Sequence, residues 1–503
     1  MSSVSMSVQD ALWLTMDRPN NLMVIDGAMV LTDIPTEERF REVFATTVAR
    51  FPVFARRPVR AGLGWGWEED PDFDLDRHLE ILEFAEPLDI AGLQQFLADH
   101  RSMPLPKDRP LWRGYLLSPV RLDDGSLGAA MVTRFHHSIG DGVRLTQVIL
   151  SMCDTDHPEV AANVARGNHP HAEVGHDSVA DVALHAANEA THVIAHGVSG
   201  VLSGAAHAVR HPLETVTDVP HTAASAARAG LHGIEDGISL IRHPDRLLDA
   251  LEVLGVENNR GSNDLSSVTK LALADTADTV WTGQPGVRKA VAWSKPIPLE
   301  AVKEYGKANH ATVNDVLLAA VAGGLRRYLA ARDSELDEVI WMVPVNLKPF
   351  EDNLPPDLGN YFALVFVPMP LDQEQPVDRL EQIHHRMERI KNSDEAVLTF
   401  GLQRVVSTSP GQIAFFLTNF FANKAIGVLT NVPGPKSLLR FADVPVYQII
   451  GFAPCSGNQP MTTTIFSYNG TVTVGFATDA ELVPNPGELA DYVLADLAAV
   501  GIK

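Results

Sequence analysis

The sequence GAAMVTRFHHSIGDG, at residues 128–142, is the stretch from which the fold can be worked out. Its first eight residues are mostly apolar and partly β-branched, which predicts a buried strand, and a helical pattern follows it. His136 and His137 therefore end a strand, and Asp141 and Gly142 lie in the turn before a helix. Adjacent side chains on a strand point to opposite faces, so only one of the two histidines can face a given cavity.

The motif HHSIGDG at residues 136–142 suits proton transfer from an alcohol. An imidazole with a pKa near neutrality can take a proton from a hydroxyl group while that oxygen attacks a thioester. The glycines on either side of Asp141 allow a tight turn that brings this residue back towards the strand end. The alternative is a pair of packed core histidines, and His384 with His385 forms a second adjacent pair. The strand–turn–helix context favours a functional role for residues 136–142.

Helix and strand patterns continue on both sides of this motif. Asp89 is a candidate N-cap, and Asn469 with Gly470 favours the tight turn of a hairpin. Apolar periodicity predicts helices at 37–51, 90–101, 142–152, 313–329 and 487–500, and strands at 128–135, 289–293, 339–345, 462–468 and 471–478. This alternation indicates an α/β fold.

At 503 residues the chain is too long for one compact core, which predicts two domains. Residues 154–262 differ from the rest, because they are rich in Ala, His, Val and Gly and are divided by prolines into several predicted helices. We therefore predict an N-terminal α/β domain at 1–153, a helical connector at 154–262 and a C-terminal α/β domain at 263–503.

The connector holds most of the 19 histidines of the chain. His192 with His196, and His207 with His211, have the i, i+4 spacing that can bind a metal ion on a helix. No third ligand follows at a characteristic spacing. We therefore interpret these histidines as solvated or packed side chains and expect no metal site.

Charge and cysteine content limit the partners and the compartment. The formal net charge of −23 argues against nucleic acid as a partner, because phosphate binding needs a basic face. Cys153 and Cys455 show no metal-ligand spacing, which indicates a reduced, cytoplasmic compartment. No signal peptide is evident, and no run of about 18 apolar residues predicts a spanning helix.

HHSIGDG matches the HHxxxDG motif of the CoA-dependent acyltransferase superfamily, which includes chloramphenicol acetyltransferase and peptide-synthetase condensation domains. Within it, the chain resembles the bacterial wax ester synthase/diacylglycerol acyltransferase family. The supporting segments occur in family order: PDFDL at 71–75 with His78, RPLW at 109–112, VNDV at 313–316, VPVN at 343–346, LGN at 358–360, TNVPGP at 430–435 and SYNG at 467–470. Each segment alone is weak, but together they are specific and cover essentially the whole chain.

The resemblance implies two chloramphenicol-acetyltransferase-like domains of the α+β sandwich type, joined by the connector, with a tunnel between them. It implies that His137 is the general base, while His136 and Gly142 complete the motif. It also implies that Asp141 is structural and keeps the loop shaped through an ion pair.

The second half is expected to supply further site residues. The resemblance places Asn314 near the site, although this residue could equally be the N-cap of its helix. Thr430 and Asn431 are candidate donors to the oxyanion that forms during acyl transfer. Gly359 and Asn360 read as turn residues.

The resemblance implies transfer of a long-chain acyl group from acyl-CoA to diacylglycerol or a fatty alcohol, giving triacylglycerol or wax ester. Acyl-CoA is the co-substrate, and no metal, other cofactor or covalent acyl-enzyme is required. Residues 21–26, NLMVID, depart from the PMH element of the family, which leaves the acceptor open.

Two rival functions remain. One is a condensation or tailoring acyltransferase that takes its acyl group from a carrier protein, which the lack of an appended carrier domain disfavours. The other is a non-catalytic lipid-droplet binding protein, which the intact HHxxxDG motif disfavours.

Insoluble substrates require contact with a lipid surface. We therefore expect a cytoplasmic protein that associates peripherally with the inner membrane or with lipid droplets. Residues 197–209, which are small and apolar, are a candidate contact patch; the alternative is helix packing inside the connector.

Overall fold

A computed structural model of the chain describes residues 4–62, 64–155, 279–346, 354–355, 358–391, 418–419 and 422–503. All of these residues belong to one compact unit, Met1–Ala172, Thr276–Asn392 and Pro410–Lys503. Beyond residue 155, the predicted connector, its histidine pairs and the 197–209 patch lie outside the described residues.

Helices and strands alternate through both described halves of the chain. The helices are α1 (Val8–Met16), α2 (Glu37–Arg50), α3 (Ile90–Arg101), α4 (Gly142–Ser151), α5 (Leu299–Ala308), α6 (Val313–Ala330), α7 (Pro376–Lys391) and α8 (Pro486–Ala499). The strands are β1 (Val4–Ser5), β2 (Val24–Leu31), β3 (Arg56–Ala61), β4 (Gly64–Glu69), β5 (Leu79–Leu88), β6 (Trp112–Arg121), β7 (Leu127–His136), β8 (Cys153–Thr155), β9 (Lys289–Trp293), β10 (Ile297–Pro298), β11 (Glu338–Asn346), β12 (Phe362–Pro370), β13 (Gly427–Pro433), β14 (Leu439–Phe441), β15 (Val444–Phe452), β16 (Met461–Tyr468) and β17 (Thr471–Asp479).

These elements confirm the α/β prediction. Each helix and strand predicted from the sequence begins and ends within two residues of its observed bounds. The predicted hairpin is β16–β17, where Tyr468 pairs with Thr471. Asn469 and Gly470 have φ angles of 45° and 80°, the positive values that the tight hairpin turn requires. Asp89 caps α3 by accepting a hydrogen bond from the Gly92 amide at 2.7 Å.

Two seven-stranded sheets organise the described residues. The first has the strand order β5-β6-β7-β2-β15-β14-β8, so the strand that ends in the histidine pair lies near its centre. The second has the order β10-β17-β16-β13-β11-β12, with β9 also pairing with β17. A small third sheet contains β1, β4 and β3.

The first sheet draws strands from both halves of the chain. β15 pairs antiparallel with β2, with Phe452 opposite Asp26 and Val446 opposite Leu31. β14 then links β15 to β8. Residues beyond 263 therefore complete the sheet that carries the histidine pair.

A shared hydrophobic core also joins the two halves of the chain. One buried cluster contains Leu97 from α3, Val132 from β7, Trp293 from β9 and Phe452 from β15. Burial of apolar surface stabilises by about 25 cal/mol per Å². The cluster therefore fixes the two halves together next to the strand that ends at His136.

Candidate active site

The HHSIGDG loop runs from the end of β7 to the start of α4. The backbone amide of His136 donates to the Leu111 carbonyl at 3.0 Å, and that of His137 donates to the Met23 carbonyl at 2.8 Å. These two bonds continue the strand pairing to its last residues. They hold both histidine backbones in place, so each side chain enters a fixed environment.

His136 is buried on one side of the strand. Its Nδ1 accepts from the Ser138 amide at 3.1 Å and lies 2.8 Å from the Ser138 hydroxyl oxygen. Its Nε2 lies 3.9 Å from the Asp17 carboxylate. Burial lowers the pKa of His136 to about 3. The ring is therefore neutral, and its contacts are those of a residue that shapes the loop.

His137 occupies a different, mainly aromatic environment. Its imidazole stacks on the Trp13 indole with ring centroids 4.0 Å apart and an interplanar angle of 21°. Phe362 lies 5.7 Å away in a tilted arrangement. Burial lowers the pKa of His137 to about 4, so the ring is neutral at physiological pH. A neutral imidazole has the free lone pair that a general base needs.

Asp141 ties the loop to the second half of the chain. One carboxylate oxygen caps α4 by accepting from the Arg144 amide at 2.8 Å, and the other accepts from the Tyr361 amide at 2.9 Å. Its own amide donates to the Gly359 carbonyl at 3.1 Å. Burial raises the pKa of the Asp141 carboxyl. Both described hydrogen bonds of its carboxylate come from backbone amides, which supports the predicted structural role.

The two glycines around Asp141 differ in what they do. Gly140 forms a parallel bridge to Gly359, and a Cβ atom added there would lie 3.0 Å from the Leu358 Cβ. A Cβ on Gly142 would meet nothing within 4 Å. Neither has a positive φ. Neither glycine therefore uses a left-handed conformation, and Gly140 permits the close approach of a second chain segment.

Asn360 connects His137 to helix α1. Its Nδ2 donates to the Asp10 carboxylate at 2.7 Å and to the His137 carbonyl at 3.0 Å. The side chain is 4% exposed. The turn interpretation holds for Gly359, whose φ is +66°. The turn interpretation did not predict that Asn360 bridges Asp10 and His137, because these two partners are distant from Asn360 in the sequence.

In the second half, the structure brings Asn314 and Asn431 together. The Asn431 Nδ2 donates to the Asn314 Oδ1 at 2.7 Å. Thr430 lies beside Asn431 in β13 and pairs with Thr464. The described contacts of His137 do not include these three residues, so their approach to the base stays a prediction.

Asn314 is not the N-cap of its helix. Thr312 caps α6 and forms a capping box with Asp315, in which each side chain accepts from the backbone amide of the other residue. The fully buried Asp315 also lies 2.8 Å from the Nδ1 of His384, which gives one member of the second histidine pair a structural contact. Asn314 is therefore left available for another role.

Two other motif residues, His78 and Trp112, pack together. His78 is buried against Trp112 with ring centroids 4.6 Å apart, and its Nδ1 lies 2.9 Å from the Trp112 carbonyl. The Trp112 indole donates to the Phe54 carbonyl at 2.8 Å. RPLW therefore contributes Leu111 and Trp112 to the core, whereas PDFDL only packs Phe73 and Leu75, partly buried, against it.

The departure at residues 21–26 ends in a buried charge cluster. Asp26 pairs with Arg101 at 2.6 Å and with Arg134 at 2.8 Å. Arg101 also donates to the Ala453 carbonyl, which follows β15. This cluster helps to join β2 to the second half.

The described residues contain no group of three or more His, Cys, Asp or Glu residues that could hold a metal ion. None of their helices combines the length and apolarity needed to cross a bilayer. A polar cavity of about 180 Å³ lies beside Arg57, Asp70, His78 and Arg109 and does not include His137. The tunnel expected at His137 stays a prediction.

Family models match both halves of the chain. Residues 6–235 match the wax ester synthase/diacylglycerol acyltransferase catalytic domain, and residues 358–500 match the WS/DGAT C-terminal domain. A probable diacylglycerol O-acyltransferase of Mycobacterium tuberculosis is 23% identical over 484 residues, covering 94% of this chain and 90% of the relative. A putative diacylglycerol O-acyltransferase of the same species is 26% identical over 462 residues, covering 89% and 85%.

Solved structures share the fold. The wax ester synthase/diacylglycerol acyltransferase from Marinobacter aquaeolei has a TM-score of 0.60 at 17% identity, covering 98% of each chain. The first condensation domain of the calcium-dependent antibiotic synthetase has a TM-score of 0.54 at 13% identity, covering 100% of this chain and 97% of that domain. These similarities confirm the predicted two-domain acyltransferase fold. The chain belongs to the wax ester synthase/diacylglycerol acyltransferase family, and it is an acyltransferase.

Proposed function

We propose that this acyltransferase moves a long-chain acyl group from acyl-CoA to the hydroxyl of diacylglycerol or of a long-chain alcohol. The product is triacylglycerol or a wax ester. The observation that carries the proposal is the environment of His137, a buried, neutral imidazole contacted by residues of both halves. The named activity of the mycobacterial relatives supports diacylglycerol as an acceptor.

In the proposed mechanism, the imidazole of His137 takes the hydroxyl proton as the acceptor oxygen attacks the thioester carbonyl. The carbonyl oxygen becomes an oxyanion in a tetrahedral intermediate. The carbon–sulfur bond then breaks, and the imidazolium returns the proton to the departing CoA sulfur. His137 is neutral again at the end, so no covalent acyl-enzyme is formed.

The oxyanion needs fixed hydrogen-bond donors in a site that excludes water. We assign this role to Asn314, with Thr430 and Asn431 as further site-lining residues. The hydrogen bond from Asn431 occupies the Asn314 oxygen, which leaves the Asn314 amide hydrogens free to point elsewhere. Asn314 also stands in the first turn of α6, where the helix dipole favours negative charge.

The same proposal covers organisation and location. The N-terminal domain at 1–153 carries the base, and the segment at 263–503 supplies the opposite wall, with the connector at 154–262 between them. The strand exchange through β15 and the contact of Asn360 with His137 support a site that needs both halves. Insoluble acceptors imply a cytoplasmic protein bound reversibly to a membrane or droplet surface.

The test is thiol release from palmitoyl-CoA, measured with purified protein across a panel of fatty alcohols and diacylglycerol, with the ester product identified. Thiol release that depends on one of these acceptors supports the proposal. Activity only with an acyl carrier protein as donor would instead favour the condensation-type function. Lipid binding with no thiol release for any acceptor would favour the non-catalytic function.

Lipid contact is tested separately by flotation with liposomes that contain diacylglycerol. Replacing both Val201 and Leu202 with Asp tests the 197–209 patch, which lies outside the described residues. Unchanged flotation of the folded double variant would exclude this patch as the anchor.

A further inference from the structure

Two elements outside the HHSIGDG loop contact the proposed base. Helix α1 reaches His137 through Trp13, and the segment that leads into β12 reaches it through Asn360 and Phe362. These elements come from opposite halves of the chain. Their contacts surround both the backbone and the ring of His137.

The spacing within each element explains how it makes two contacts at once. Asp10 and Trp13 are three residues apart on α1, so both lie on one face of the helix. Asn360 and Phe362 are two residues apart at the start of β12, and both contact His137. Asn360 bonds to Asp10, and Phe362 lies 6.1 Å from Trp13. The two faces therefore meet around His137.

Each pair holds a different part of the residue. The Asn360 amide holds the His137 carbonyl at 3.0 Å. The Trp13 ring covers one face of the imidazole at 4.0 Å. Within the part of the chain that the structure describes, neither the buried Trp13 Nε1 nor the buried His137 Nδ1 has a hydrogen-bond partner. Ring stacking on Trp13 therefore helps to fix the imidazole plane.

We propose that Trp13 and Asn360 are positioning residues for the general base of the acyl transfer. Asn360 sets where the His137 backbone lies, and Trp13 sets the plane of its ring and keeps water from that face. The inference rests on the proposed role of His137. It deepens that role by naming the groups that aim the lone pair at the acceptor hydroxyl.

The charged and titratable groups around His137 are engaged elsewhere. Asp10 on α1 accepts from Asn360, and Asp141 in the same loop accepts from backbone amides. His136 faces Ser138 and Asp17. The Trp13 ring stacks on one face of the imidazole, and its removal exposes that face to water.

The first test replaces Trp13 with Ala and with Phe. Burial holds the pKa of His137 at about 4, so removing the indole should raise this pKa towards the ordinary value of about 6.5. A base works in its neutral form, so the Trp13→Ala variant should lose activity at pH 6 relative to pH 8, while the wild-type profile stays flat there. Its kcat should fall by about 10-fold to 100-fold from misplacement of the base, with KM little changed.

Trp13→Phe should restore most of kcat and the flat pH profile, because it keeps a stacking ring and removes no hydrogen bond. The matched control is Leu14→Ala, on the same helix and 3% exposed, which should lower stability without moving the pH profile. Asn360→Ala should lower kcat by about 10-fold at every pH, because it loosens the backbone without opening the ring to water.

Three results would overturn the inference. The first is a folded Trp13→Ala variant with the same pH profile as Leu14→Ala. The second is a Trp13→Ala variant that changes KM alone. The third is an Asn360→Ala variant with full kcat. Each counts only if His137→Ala is inactive in the same assay. If His137→Ala is active instead, the proposed base itself fails, which distinguishes the two failures.

Discussion

Burial and stacking determine how His137 handles a proton. A pKa near 4 means that the imidazole is ready to accept a proton at neutral pH but holds it weakly. The described contacts of the Asp141 carboxylate are to backbone amides, so they do not stabilise the imidazolium. A weakly held proton is returned quickly to the departing thiolate. The same burial therefore suits both proposed steps, the uptake of the hydroxyl proton and its return to the thiolate.

Replacing His137 with Ala tests the base directly. We expect turnover to fall by a factor of about 10² to 10⁴, the usual contribution of general-base catalysis. The measurement is thiol release from palmitoyl-CoA with a saturating acceptor. His385→Ala, which removes an exposed histidine of the second pair, is the control and should keep full activity. Near-normal turnover by a folded His137→Ala protein would contradict the mechanism.

Asp141→Asn should lower stability together with activity. The amide group can accept through only one oxygen, so either the Arg144 or the Tyr361 amide loses its buried acceptor, at a cost of about 1–3 kcal/mol. Thermal unfolding measures the loss. Asp89→Asn is the control, because this exposed cap of α3 accepts one bond and Asn caps as well as Asp. Full stability with lost activity would give Asp141 a direct chemical role.

Single residues differ in how far the sequence reveals them. His137 and Asp141 stand in a local motif, so their importance is visible in seven consecutive letters. Asn360 lies in the LGN segment, but its contact with the base, like that of Trp13, is visible only in the structure. His137 lies 124 positions from Trp13 and 223 positions from Asn360.

Among the elements, α6 presents its first turn with its cap already complete. Thr312 and Asp315 satisfy the capping hydrogen bonds, and Asn431 fixes the orientation of the Asn314 amide. Asn314 is therefore not needed to cap the helix. This contact supports the proposal that Asn314 is the oxyanion donor and that Asn431 orients it.

Asn314→Asp should therefore lower kcat by about 10² to 10³, because it keeps the shape but replaces an N–H donor with a negative oxygen near the oxyanion. Asn431→Ala should cost less, since the donor remains but is less well oriented. The control is Asn485→Asp, an exposed asparagine at the start of α8. Equal kcat for wild type and Asn314→Asp in steady-state assays would remove Asn314 from the site.

The elements that the sequence predicted are those with strong local signals. The apolar periodicity of α6, the Asp89 cap and the Asn469–Gly470 turn each act within a few residues. The insertion of β15 beside β2 could not be predicted in this way. Its pairing joins residues more than 400 positions apart, and many apolar strands could fill that place equally well.

Across the whole molecule, buried neutral histidines make stability depend on pH. Burial lowers the folded-state pKa of His136 to about 3 and that of His137 to about 4, against about 6.5 in the unfolded chain. The unfolded state therefore binds more protons as pH falls below 6.5. The stabilisation is complete above 6.5 and is lost as pH falls through the folded-state values, by up to about 1.4 kcal/mol per pH unit for each histidine.

The melting temperature should accordingly fall between pH 7 and pH 5. His136→Asn keeps an acceptor for the Ser138 amide and removes one of the two titrating groups, so its melting temperature should fall less steeply over this range. His385→Asn controls for the loss of a histidine as such. Equal steepness in wild type and His136→Asn would show that burial of His136 does not govern acid sensitivity.

The pairing of β15 with β2 also determines when the first sheet can be completed during synthesis. β2 leaves the ribosome early, but its neighbour on one side is made only when residues 444–452 have been translated. Until then β2 presents an unpaired edge, the type of surface on which chains aggregate. The newly made first half therefore exposes this edge while nearly three hundred further residues are added. Its yield in cells should depend on chaperones that cover the edge until residues 444–452 have been made.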